Sequence, residues 1–185
     1  GYVASLLAQA AASSANWKAK DAAVYLVIAL TLRGSTAKLG ATQTNQLVNL
    51  NDFFASHVLP ELQAGAAGAP AATHHPILLA DALKFVTLFG AQLPSETFGA
   101  VMPLLAALLT NKLPVVHTYA ANAIKQLLTY REAAPPGTNV PPASLPLRFG
   151  KAALVPLLQP VLTGLFGALK MAGSVENAYV MRTIL

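Results

Sequence analysis

Apolar residues return every three or four positions along almost the whole chain, and that period suits helices and little else. Leu47, Leu50, Phe54, Val58 and Leu62 make one stripe; Phe98, Val101, Leu105 and Leu108 make a second; Val116, Ala120, Ala123 and Leu127 make a third. No alternation of apolar and polar residues runs long enough to argue for a strand. Turn signals part the stripes: Gly34 and Gly40, the stretch AGAAGAPAATHHP at 64–76, Gly90 to Pro94, and Asn111 to Pro114. Pro94 and Pro114 stand where a helix begins, a position at which the missing N–H is tolerated. The spacing predicts an all-α chain.

The helices also repeat. Asp21-Ala22, Asp81-Ala82, Asn122-Ala123 and Asn177-Ala178 each fall early in a helical stretch, separated by 60, 41 and 55 residues. Each interval holds one more amphipathic helix, at 46–63, 95–110 and 151–170. The middle interval has the period of HEAT or armadillo repeats, roughly 40 to 47 residues. The longer ones carry their surplus in loops at 33–45, 64–75 and 132–147. A small Ala on the second helix of a pair lets its partner approach closely. We therefore expect residues 1–185 to form one HEAT-repeat α-solenoid segment of about three to four antiparallel helix pairs, each burying its apolar face against the next. Both ends of the chain lie in apolar helical pattern, which reads as a segment of a larger protein. The loop REAAPPGTNVPPASLPLR at 131–148 is expected exposed and mobile without helix, and the Ala/Gly stretch at 64–72 is expected to be a tolerated insertion.

Composition removes several function classes. Hydrophobic residues reach 55% and charged residues only 10%, so most of the chain has ample apolar surface to bury and disorder is excluded over most of it. With no cysteine there is no disulfide, thiolate zinc site or cysteine nucleophile. The seven carboxylates, Asp21, Asp52, Glu61, Asp81, Glu96, Glu132 and Glu176, form no close pair for acid–base work. His74 and His75 adjoin in a turn without a further ligand spaced for zinc, and read as a solvated loop pair. Gly34 and Gly40 flank STAKL without the Gly-Lys-Ser/Thr of a phosphate loop, and no GxSxG elbow occurs. The expectation is a protein that is not an enzyme, with no catalytic residue, cofactor or metal.

The net charge of +5 is modest, and its cations are spread. Lys18/Lys20 and Arg148/Lys151 are the only close pairs, which favours random surface charge over nucleic acid binding. Residues 152–169 are uncharged between Lys151 and Lys170 and approach the length of a membrane span. They contain Pro156, Pro160, Gln159 and Thr163, and Leu154, Leu158, Val161, Leu165 and Leu169 recur like one helical face. That pattern favours a buried amphipathic helix and no membrane insertion. Trp17 can anchor a partner or staple the start of its own helix. His117 and Tyr119 open the helix after Pro114, where polar side chains can face a partner; Tyr119 suits the edge of the core equally well.

Four strings then carry a resemblance: NWKAKDAAVYLVIAL at 16–30, QLVNLNDFFASHVLPEL at 46–62, PVVHTYAANAIKQLLTYR at 114–131 and GSVENAYVMRTIL at 173–185. With the opening GYVASLL they resemble, in order along the whole chain, the CAS-type exportins, the importin-α re-exporters of the importin-β (karyopherin) family. The departures lie in the stretches 64–73 and 132–147, which are longer here, and in alanines at surface-like positions. The resemblance implies a superhelical HEAT-repeat transport receptor that binds Ran-GTP and importin-α together, passes the pore by contacts with Phe-Gly repeat nucleoporins, and shuttles between nucleus and cytoplasm. GTP would be bound by Ran and not by this chain, which would stand in the middle of the receptor after the family's acidic insertion. Second helices line the concave side in this family. Those beginning near 17, 77, 115 and 175 would turn Lys18, Lys20, Lys84, His117, Lys125, Glu176, Asn177 and Arg182 toward a partner. The competing expectation is a HEAT-repeat scaffold unconnected with transport.

Overall fold

A computed structural model describes residues 1–34, 49–135 and 137–185. Leu47 and most of the expected 33–45 loop lie outside the described residues. The described chain runs α1 (Tyr2–Ala12), a 3-10 turn at Ser14–Asn16, α2 (Trp17–Gly34), α3 (Leu50–Phe53), a π-helical turn (Phe54–Val58) and α4 (Leu59–Ala66). It continues through α5 (Pro76–Phe89), α6 (Ser95–Leu108), α7 (Pro114–Thr129), α8 (Lys151–Leu169) and α9 (Ala178–Ile184). The only β-type pairing among the described residues is an isolated antiparallel bridge between Arg131 and Leu147, so the fold is all-α as expected. The chain falls into two compact units, Gly1–Phe85 and Val86–Leu185.

In the first unit α1 packs against α2, and Ala23, Val24, Val27 and Ile28 of α2 are buried. Leu50, Phe54, Val58 and Leu62 are buried too, and their spacing explains the π turn between them. Residues four apart drift by about 40° per step on an ideal α-helix. Across three such steps the stripe would leave the core, and the wider turn at Phe54–Val58 rewinds it. Phe85 closes this core against Phe53 and Phe54, with ring centroids 5.7 and 6.5 Å away. Gly65, in the stretch expected to be a tolerated insertion, belongs to α4 and packs so tightly that a Cβ there would meet Leu79 at 2.7 Å.

In the second unit Pro94 caps α6 and Pro114 opens α7, where the sequence placed helix starts. Both expected stripes are buried: Phe98, Val101, Leu105 and Leu108 on α6, and Val116, Ala120, Ala123 and Leu127 on α7. The repeat marks keep a looser register. Asp21 and Asp81 lie early in α2 and α5, but Asn122 sits in the middle of α7 and Asn177 is the N-cap of α9. Ala82 and Ala123 are buried as close-packing residues should be, whereas Ala178 is exposed.

α8 corrects a second expectation. Only Val161, Gly164, Leu165 and Ala168 are buried, Leu158 is 44% exposed, and Val155 and Phe166 lie open as well. Gly164 sets this geometry: a Cβ there would stand 2.8 Å from Leu109 Cβ, so the C-terminal half seats closely while the half carrying Pro156 and Pro160 does not. By length and composition α8 could cross a membrane, with mean hydropathy 1.7.

The described residues of the 132–147 segment are mostly exposed, as expected, but its base is fastened. Arg148 N–H donates to Tyr130 C=O at 2.9 Å, Glu132 N–H donates to Pro146 C=O at 2.9 Å, and Pro142–Ser144 forms a 3-10 turn.

Candidate functional site

The first unit gathers its polar side chains where α2 begins, α4 runs and the chain turns toward α5. Lys20 lies one turn into α2 and reaches Glu61 Oε1 at 2.5 Å. Glu61 stands on α4 one turn after His57, with only 6% of its surface exposed. Its second oxygen, Oε2, meets His74 Nδ1 at 3.0 Å. A buried carboxylate is tolerated when both oxygens are engaged, and here two separate segments engage them. His75 stacks flat on Trp17, with ring centroids 3.8 Å apart and planes 4° from parallel. Its Nδ1 accepts from Ile77 N–H at 3.3 Å, which caps the start of α5. The histidine pair is therefore not a solvated loop pair: one ring is tied to α4 and the other to α2.

Around this node lies a cleft of about 180 Å³ walled by Leu7, Ala10 and Ala11 of α1, Trp17, and Leu78 of α5, with Lys20, His57 and Glu61 also lining it. Burial and then the nearby charge of Lys20 lower the pKa of His57 below the ordinary histidine value. Elsewhere in the unit, burial, then the hydrogen bond and charge of Asp21, push Asp81 up to about 7, with Lys84 opposing. Asp81 Oδ2 is buried without a hydrogen-bond partner.

The second unit pins the chain ahead of α9 onto the start of α7. His117 is completely buried, with Nδ1 2.8 Å from Asn111 C=O and Nε2 2.6 Å from Ser174 Oγ. The carbonyl can only accept, so Nδ1 carries a proton and donates to it. Asn177 caps α9 through Tyr179 and Val180 N–H and donates to Thr118 Oγ1 at 2.6 Å. Arg148 spreads its guanidinium over Ala91 C=O (2.6 Å), Leu93 C=O (2.5 Å) and Ser95 Oγ (3.2 Å), 4.8 Å above the Phe98 ring.

These placements sort the residues that the resemblance turned toward a partner. Lys18, Lys84, Glu176 and Arg182 are exposed, Lys18 lying 5.7 Å over the Trp17 ring, and Lys125 is half-buried on α7. His117 has no surface to offer, because both its nitrogens are spent inside the unit. Lys20 is committed to Glu61 and Asn177 to its cap, so neither is a bare surface group. Arg148, read above as random surface charge, is a clamp. Sequence reasoning missed Glu61 and Ser174 as the partners of these groups. The sole local signal was His57 and Glu61 four residues apart on one helix, which places both on one face.

The family model of Cse1 matches residues 1–124. Among curated relatives, the chain is 42% identical to Exportin-2 of Bos taurus and of Homo sapiens, and 40% identical to that of Xenopus laevis. Each match covers the whole of this chain and 18% of the relative, so the chain spans under a fifth of the length of those proteins.

Proposed function

The chain belongs to the Cse1 family, and from that membership we propose that it is a segment of a nuclear export receptor that recycles importin-α from nucleus to cytoplasm. The receptor binds importin-α and Ran-GTP cooperatively, passes the pore on Phe-Gly nucleoporins and shuttles between the two compartments. It does no chemistry itself, since GTP stays with Ran. The observation that carries this reading is 42% identity to Exportin-2 in a match that covers the whole chain. A likeness confined to helical periodicity would support only a repeat scaffold.

Charged groups on a partner-facing wall act mainly through steering and selectivity. Lys18, Lys84, Lys125, Glu176 and Arg182 are the residues we assign to that wall, with Lys20, His117 and Asn177 holding the helices that present them. Cooperativity follows if Ran-GTP and importin-α favour the same arrangement of successive helix pairs, because each ligand then lowers the cost of binding the other. The test is capture of importin-α by the full-length receptor containing this segment, with Ran-GTP and Ran-GDP compared side by side. Capture with Ran-GTP alone is expected. Equal capture with both forms, or with neither, would overturn the reading.

A further inference from the structure

We propose that the cleft between α1, the start of α2 and α4 is a binding site for a small oxyanion, the carboxylate head group of an acid. The argument is an inventory of donors and acceptors. Lys20 Nζ carries three donors and spends one on Glu61. The side chains of Ser14, Trp17 and His57 line the same cleft and make no hydrogen bond to any described residue. The cleft's carboxylate, Glu61, is already engaged at both oxygens, by Lys20 and His74. The cleft therefore holds unspent donors on Lys20, Ser14, Trp17 and His57.

The Lys20 ammonium stands at the cleft and acts on the imidazole of His57. A volume of about 180 Å³ is below the roughly 300 Å³ at which drug-sized pockets begin. It therefore suits a head group rather than a nucleotide. The apolar walls, Leu7, Ala10, Ala11 and Leu78, fit the short methylene stem behind such a group. Charge-assisted hydrogen bonds from an ammonium to a carboxylate are about twice as strong as neutral ones, which gives the site its preference over a neutral amide.

The sole tryptophan lines the cleft and reports on it without a label. Trp17 emission is followed while the chain is titrated with sodium acetate, with a short peptide carrying one glutamate, and with sodium chloride at matched ionic strength. A saturable change with acetate or with the peptide, absent with chloride, is the expected result. Tighter binding of the peptide assigns the carboxylate to a protein side chain, and binding of acetate alone assigns it to a free small acid. His57→Phe and Ser14→Ala should each weaken binding at least threefold and leave the melting temperature near that of the parent. Lys20→Met is made together with Glu61→Gln, so that no buried charge is stranded, and should abolish saturation. A response indistinguishable from chloride, or binding unchanged in all the folded variants, would overturn the proposal.

Discussion

Two surface segments are held in place by opposite physics. The turn at 67–75 is fastened by charge and ring stacking, with Glu61 gripping Lys20 and His74 while His75 lies on Trp17. The 132–147 segment is fastened by backbone carbonyls, with Arg148 over Ala91 and Leu93 and Arg131 donating to Leu145 C=O at 2.6 Å. The first depends on a buried anion whose loss strands its partners. The second depends on a guanidinium that stays charged at any pH and grips groups that never titrate. Low-complexity composition says nothing about which kind of anchor a loop uses.

The comparison breaks most readily at Glu61. Glu61→Ala removes the only carboxylate at the node, and the first unit should lose about 3–5 kcal/mol in urea denaturation, as for other broken buried pairs. A loss under about 1 kcal/mol would mean that the node is a surface ornament. Arg148→Ala should cost less, about 2 kcal/mol, because its carbonyl partners can turn to water, and Arg148→Lys should recover only part of it. Both are read from the same denaturation curves.

Asp81 sharpens the contrast through pH. Its carboxyl holds a proton in the native state up to about pH 7, whereas the unfolded chain releases it near the ordinary carboxylate value. Its contribution to stability is therefore complete below that ordinary value and is lost as pH rises through about 7. Asp81→Asn should flatten the fall in melting temperature of the first unit across that window. The effect should be about 1 kcal/mol, since part of the carboxyl is open to solvent and screened. The smallest effect is expected from replacing 134–143 with two glycines. With the Arg131–Leu147 bridge kept, the shorter closure should shift stability by less than about 1 kcal/mol.

The helices were legible because a repeating pattern averages over many residues. The α6 and α7 stripes lie on the core side, and both prolines mark helix starts. The π turn left a trace in the strict fourfold spacing of Leu50, Phe54, Val58 and Leu62. The anchors were not legible, because each rests on one pair far apart in the chain: Lys20 with Glu61, His117 with Ser174, Arg148 with Leu93. No local spacing encodes such a pair. His117 misled for a related reason: a polar residue in the first turn of a helix reads as surface until its two buried partners are known.

Amide hydrogen exchange across 64–75 and 132–147, in Glu61→Gln and Arg148→Lys side by side with the parent chain, tests the central claim most directly. If the anchors are as described, Glu61→Gln speeds exchange in the first segment alone and Arg148→Lys in the second alone. Acceleration of both segments by either substitution, or of neither by both, would contradict it.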